Sequence, residues 1–517
     1  MKPKRRLVRW LAGAVFVVSL GVAMAAAMTD DLAAVRLGER LFGDARFSQP
    51  AEVGRGAAVS CQTCHFSDRA EGPRAFCDFA ARSPVLARDD GRRTTPRNSP
   101  TLLDALEGAG GNNLLHFDGA FATAEELVRE TFVGRNFGWL PTEREEARRH
   151  FAHVIREDDG GSGGAKRRDS YASLLRGIDL QGPGRAQLAA SFRIDVAHAT
   201  DDEILAACAR LVVAYLKTLR FSRDAEGRHD GSAYDRFLEE NRLARAPRLG
   251  ETPREYARRL GEQLAAMRAP RFVSASTTGD ERAVATAERF GELELRGARI
   301  FFRSAIGAAQ ASGAGNCVEC HVPPHFTDFG FHNTGAAQDE YDARHGAGAF
   351  ARLEIPGVAE RMEDHARWLP PTWKHPVAKG VFLPVDDSAA GEGTDLGLWN
   401  VCANPDFPAP QAALERLLNP GDRLLPDEVL GSSIARFKTS TLRGLGFSAP
   451  YLHTGRVATI EDVVRFYQRM SALAHEGKLR NAPPEFFAMR LGEDDVAPLA
   501  AFLRALDESS WLRAPAP

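Results

Sequence analysis

The sequence predicts a mainly α fold in which one helical unit occurs twice, and three observations carry that reading. Stretches with apolar residues at helical spacing recur along the chain, as in "DDEILAACARLVVAYLKTL", "ATIEDVVRFYQRM" and "DDVAPLAAFLRALDE". Alternating strand-like patterns are few. The pentapeptides "CQTCH" (Cys61–His65) and "CVECH" (Cys317–His321) each follow a similar segment, "LGERLFGDARFS" and "LRGARIFFRSA". Such internal similarity points to a duplicated domain.

At 517 residues the chain is long enough for two to four domains. Its 44% hydrophobic and 26% charged residues are those of an ordinary globular protein. A net charge of −3 excludes nucleic acid as the main partner, because no surplus of Lys and Arg is left to neutralise phosphates.

Taken in order, residues 1–28 read as an export signal. Lys2, Lys4, Arg5, Arg6 and Arg9 precede an apolar run, Trp10–Met28, that ends in A-x-A patterns at Ala23–Ala25 and Ala25–Ala27. The run is also just long enough to remain as a membrane anchor. On either reading the rest is exported, and the periplasm is the expected location; contact with a membrane is expected only if the segment is uncleaved. Residues 29–240 are expected to form an N-terminal domain. Within it, Thr142 and Glu145 open a charged amphipathic helix over 142–157. Residues 241–285 read as an interdomain connection, and 286–517 as a C-terminal domain. Its segment 336–430, rich in Pro and Gly, reads as a long, partly ordered insertion.

Four of the seven cysteines sit in the two pentapeptides. C-x-x-C-H is the c-type haem attachment pattern. The two thiols tether the vinyl groups, and the adjacent imidazole is placed on the iron. Cys61, Cys64 and His65 are therefore expected to hold one covalent haem, and Cys317, Cys320 and His321 a second. The repeated unit is then cytochrome-like. Cys208 lies in an apolar helical pattern and reads as a small buried hydrophobe. Cys77 and Cys402 could pair.

Beyond the pentapeptides, several segments occur in one order: "LGERLFGDARFS", "VSCQTCH", "RNSPTLLDA", "HFDGAFATAEEL", "YDRFLEEN", "LRGARIFF", "CVECHVPPHFTDFGFHNTG" and "FKTSTLRGLGFSAPYLHTGRVATIEDVVRFY". From about residue 34 onward the chain resembles the bacterial dihaem cytochrome c peroxidases and the related MauG proteins, which oxidise a partner protein. The resemblance implies two mostly helical cytochrome c domains facing each other. It implies peroxide as substrate at the N-terminal haem, and an electron-transfer role for the C-terminal haem. Electrons would come from a small cytochrome, a cupredoxin or a residue of a partner protein.

Carried over by position, the resemblance makes Asn98, Ser448 and Pro450 ligands of a calcium ion between the haems, an oxygen donor set suited to a hard cation. It makes Tyr467 the distal ligand of the C-terminal haem, where the peroxidases have Met and MauG has Tyr; Met470 and His475 are the neighbours that could replace it. No His lies between His65 and Asn98, so the family's resting-state blocking ligand is missing and an open first iron is implied. Phe117 stands where the family has an inter-haem Trp, and Leu127 and Phe137 replace its distal Gln and acid. Splitting peroxide needs a group to move a proton; Glu130, Glu143 and His116 are the candidates. Trp139 could restore an oxidisable aromatic but reads more simply as core. His325 and His332 are read as structural or propionate-binding. A dihaem electron-transfer protein without peroxidase activity is the competing expectation.

Overall fold

The computed structural model describes residues 32–50, 58–67, 76–78, 82–108, 113–160, 169–177, 188–274, 289–304, 313–383 and 393–508. The signal-like segment lies outside them. The fold is mainly helical, as the periodicity predicts, and among the described residues strands occur only as three short antiparallel pairs. No described helix is long and apolar enough to cross a membrane.

The chain packs as two units. The first takes the described residues up to Cys61, with Glu125–Trp139 and Glu143–Leu219. Its helices are α1 (32–43), α2 (Ala124–Phe132), α3 (Arg144–Glu157) and α4 (Asp201–Leu216). Thr200 caps α4 through a capping box with Glu203, which satisfies amide hydrogens that a helix start leaves open. Helix α4 is apolar on nearly every side, as a buried helix must be. Gly38 of α1 lies against it so closely that a Cβ would stand 2.0 Å from the Leu211 carbonyl oxygen. Phe47, Phe132, Phe137 and Phe151 form an aromatic core, with Phe47 stacked on Phe151 at 4.5 Å.

The second unit takes Gln62–Ala124, Leu140–Thr142 and everything from Arg220 onward. This division departs from the sequence partition at 240. Residues 62–124 and 220–240 pack with the C-terminal part because their partners are there. Asp235, for example, is fully buried against Arg443, with two hydrogen bonds of 2.8 and 2.9 Å. The helices are α5 (Ala233–Glu240), α6 (Pro253–Ala266), α7 (Glu292–Phe302), α8 (Ala336–His345), α9 (Ile460–His475) and α10 (Val496–Arg504). Helices α7 and α10 cross at Gly297, where a Cβ would lie 1.9 Å from the Pro498 carbonyl oxygen. The strand pairs are β1 (His65–Ser67) with β2 (Phe76–Asp78), β3 (Arg82–Pro84) with β4 (Thr94–Asn98), and β5 (Phe331–His332) with β6 (Phe437–Lys438).

Two segments that the sequence left without a clear pattern are packed where they are described. The supposed connection, 241–285, contributes to the core: Tyr256, Leu260 and Leu264 of α6 pack with Phe237, Phe290 and Phe301. Its Arg-rich pattern hides this, because only one face of α6 is apolar. The insertion 336–430 is not loosely ordered over its described residues. Phe350, Leu369, Phe382, Trp399, Leu414 and Leu430 form a hydrophobic core with Phe331 and Phe437. Arg361, 0% exposed, ties it together by donating to the carbonyls of Trp399, Cys402 and Ala403. Cys402 is a buried free thiol in this core, while the Cys77 side chain lies outside what the structure describes; Cys208 is buried, as read.

Candidate functional site

The second pentapeptide opens a 3-10 turn, Cys317–Glu319, and the His321 amide closes it on the Cys317 carbonyl at 2.9 Å. The His321 ring is oriented by Nδ1, 3.1 Å from the Phe326 carbonyl oxygen. A carbonyl can only accept, so Nδ1 is the donor and Nε2 is left as the ligand nitrogen. Cys317, Cys320 and His321 line a cavity enclosing about 1810 Å³, counted out to its mouth. Ile460, Val463, Val464 and Tyr467 line the same cavity. Their spacing puts all four on one face of α9.

Of the three distal candidates, Tyr467 is the one that lines this cavity. Met470 does not line it but is buried beside it, in a cluster with Phe466 and Leu479 against which Tyr467 also packs, and His475 points to the Met489 carbonyl at 3.4 Å. Burial, and then the nearby Cys320 and Cys317, push the Tyr467 phenol well above its ordinary range. A phenol so placed ionises only if a cation is there to pair with it. The cavity thus brings together two thiols, an oriented imidazole and a phenol, a lining that fits an iron porphyrin. Lys438 and Arg443 add positive charge to the lining. Arg443 is held by Asp235. Lys438 donates to Asn113 and to the Leu114 carbonyl, and burial lowers its ammonium to about 7. A haem propionate would supply the counter-charge that it needs. Lys438 and Met489, also in the wall, escaped the sequence reading, since a lone Lys or Met carries no motif.

At the first pentapeptide, Cys61–Cys64 form one helical turn and His65 begins β1. His116 lies close enough to His65 for their charges to interact. The segment "HFDG" is fixed on both sides of His116: Leu115 bridges to Phe121, and Asp118 is ion-paired with Arg97, which also binds Asp395 at 2.6 Å. His116 itself has φ of 68°, in the left-handed region that few residues other than glycine adopt. Burial holds its imidazole down to about 4, with Arg97, His65 and Lys438 opposing its charge and Asp118 favouring it. It is neutral near pH 7. The next residue, Phe117, lines the second cavity, so adjacent residues of one segment serve the two haem motifs.

The other proton-transfer candidates fare differently. Glu130 is gripped at both oxygens by Arg144, which makes it an ion-pair partner and not a free base. Phe137 and Trp139 are buried in the first unit's core; the Trp139 indole donates to the Phe47 carbonyl at 3.4 Å. The core reading of Trp139 stands.

Asn98 and Ser448 line the cavity, and Asn98 reaches Pro450. The Asn98 amide donates to the Pro450 carbonyl at 2.6 Å, while its Oδ1 is buried without a hydrogen-bond partner. An orphaned buried oxygen next to a carbonyl fits a hard cation. His332 lines the cavity and pairs with Asp328 at 2.9 Å. His325 instead faces His229, with Asp104 at 3.9 Å.

Fold and site together fit a protein that would hold two haems. Comparison with known sequences sharpens this: residues 32–242 match the model of the family described as di-haem cytochrome c peroxidase. Over that span the chain is similar to these proteins. The cytochrome-c peroxidase IdrP1 of Pseudomonas sp. (strain SCT) is 26% identical over 206 residues, 40% of this chain and 40% of that protein. IdrP1 of Denitromonas iodatirespirans is 24% identical over 200 residues, 39% of each. The match thus spans well under two thirds of these relatives. Among solved structures, the diheme peroxidase BthA from Burkholderia thailandensis aligns with a TM-score of 0.46 and 16% identity, covering 93% of this chain and 87% of that one. A MauG-like protein associated with microbial copper homeostasis aligns with a TM-score of 0.40 and 18% identity, covering 93% and 90%.

Proposed function

We propose that this protein is an exported, c-type dihaem oxidoreductase that reacts with hydrogen peroxide at the N-terminal haem. Electrons would pass through the C-terminal haem from a small redox protein or a partner-protein residue. The observation that carries this reading is the single cavity lined by Cys317, Cys320, His321 and Tyr467. When bound, the haems supply the iron that accepts peroxide oxygen and stores oxidising equivalents.

The chain's own residues do the rest. Cys61 and Cys64, like Cys317 and Cys320, would anchor their porphyrins through thioethers. His65 and His321 would hold the irons from one face. Tyr467 would offer an anionic oxygen to the second iron, which favours its oxidised states over an electron-storing role. His116, neutral and beside His65, would accept the proton that must leave one peroxide oxygen and return it to the other. Phe117 would fill the space between the sites. It lacks an N–H and resists oxidation, so it would pack without serving as a relay station. Asn98, Ser448 and Pro450 would hold calcium.

A second reading, a dihaem electron-transfer protein without peroxide chemistry, is favoured by one observation: Glu130 is held by Arg144 and leaves no free carboxylate there. Low-temperature electron paramagnetic resonance of the ferric protein separates the two. A high-spin signal that is lost on adding one equivalent of peroxide is the result expected for the enzyme. Two low-spin irons that ignore peroxide would establish the alternative.

A further inference from the structure

The lobe at 336–430 contains three ligand-type side chains that the haem chemistry does not use. His365 starts the turn His365–Trp368, His375 lies in the loop that follows, and Asp406 comes back to them from beyond Trp399. One ligand atom from each falls within 4.8 Å of the others. His365 is 8% exposed, and both of its ring nitrogens are buried without a hydrogen-bond partner. Leaving such atoms unpaired is costly; the ring stacks on that of His375 with centroids 3.7 Å apart, and Asp406 is its carboxylate neighbour. The Asp406 side chain is 2% exposed; its Oδ2 stands 3.6 Å from His365 Nε2 and 2.9 Å from His375 Nδ1.

These separations have a chemical meaning. Four donors at about 2.0–2.1 Å from a tetrahedral zinc stand about 3.3 Å from one another. The two measured distances bracket that value. The carboxylate is fixed by the Thr372 hydroxyl, which donates to the same Oδ2, and by the turn that Asn404 Oδ1 makes with the Asp406 amide at 3.0 Å, outer contacts of the kind that orient metal ligands. The His375 side chain is 44% exposed, so the remaining position opens to water. In a comparable trio, Asp104, His229 and His325, the carboxylate already carries a cationic partner, Arg223, at 2.9 Å, whereas Asp406 is hydrogen-bonded by Thr372 and His375.

We propose that His365, His375 and Asp406 bind one divalent first-row metal ion, of the class that takes imidazole and carboxylate together, as zinc does. Bound there, the ion joins the loop carrying His375 to the turn carrying Asp406 and stabilises the lobe by mass action. The site is independent of the haem chemistry proposed above.

The test uses the haem-loaded full chain, stripped with a chelator that leaves haem iron in place, then dialysed against zinc chloride. Bound zinc is counted against iron by mass spectrometry. One zinc per two irons is expected at micromolar free zinc. Ligand loss in H375A and in the isosteric D406N is expected to weaken binding about tenfold or more, with haem spectra unchanged. Zinc is also expected to raise the melting temperature of the wild type and of neither variant. Absence of zinc uptake by the wild type, or wild-type affinity in both variants, overturns the proposal.

Discussion

At the scale of single residues, the chemistry concentrates on two side chains. Tyr467 is the cavity-lining member of the distal candidates. Replacing it with Met exchanges an anionic oxygen for a neutral thioether and is expected to raise the potential of one haem by on the order of 100 mV, within the roughly 0.8 V that axial ligands span. Spectroelectrochemical titration reads the shift, and unchanged potentials would remove Tyr467 from the iron. His116 is the neutral imidazole next to His65. His116→Phe is expected to slow the reaction with peroxide by about 10²–10⁴-fold, seen by stopped-flow, while the resting spectrum stays the same. Much of this was legible in the sequence. The pentapeptides announce their ligands, and counting along the "PYLHTG" segment reaches Tyr467. What was not legible depends on which side chain pairs with which. Glu130 reads as a free acid until Arg144 is seen across both of its oxygens. His365, His375 and Asp406 share no motif, and only folding brings them together.

At the scale of elements, position follows from caps and faces. Thr459 begins α9 by accepting the Asp462 amide at 3.1 Å, and α9 carries the cavity wall. Thr459→Ala is expected to cost about 1 kcal/mol and to lower the melting temperature by a few degrees, measured by calorimetry, without changing haem content. Helices α4, α9 and α10 were readable because each is long and periodic. The lobe was not: its helices Val358–Glu363, His365–Trp368 and Pro426–Ser432 are too short to show a period. A buried cation binding distant carbonyls holds it together instead. Arg361→Met keeps volume but strands the carbonyls of Trp399, Cys402 and Ala403. Each stranded group costs about 1–3 kcal/mol. Proteolysis within 336–430 is therefore expected to rise sharply in this variant, and an unchanged digestion pattern would show that the lobe's apolar core suffices alone.

At the scale of the whole molecule, duplication was readable from the two pentapeptides and their leading segments, whereas the division into packed units was not. That division depends on pairings far apart in sequence, and the buried carboxylates among them give stability a pH dependence. Glu508 is 0% exposed and accepts the Ser222 amide at 2.8 and 3.0 Å. Burial raises its carboxyl to about 8, against 4.5 for the ordinary group, with Arg443 and the Ser222 amide pulling the other way. The sign is that of an acid whose proton is held more tightly in the folded chain. Below about pH 4.5 both states are protonated and the group is neutral towards stability. Between there and about pH 8 the unfolded chain has lost a proton that the folded chain keeps, so stability falls as pH rises. Asp507, raised by burial to about 7, adds to the same trend. Other groups titrate in this window, among them Lys438 and the buried histidines, so the informative quantity is a difference. Glu508→Gln retains an acceptor for Ser222 and cannot ionise. Relative to the wild type, this variant is expected to gain stability progressively from pH 5 to pH 8, by a few degrees of melting temperature or more. A constant offset across that range would mean that Glu508 is ionised in the folded protein throughout, with Arg443 stabilising its charge.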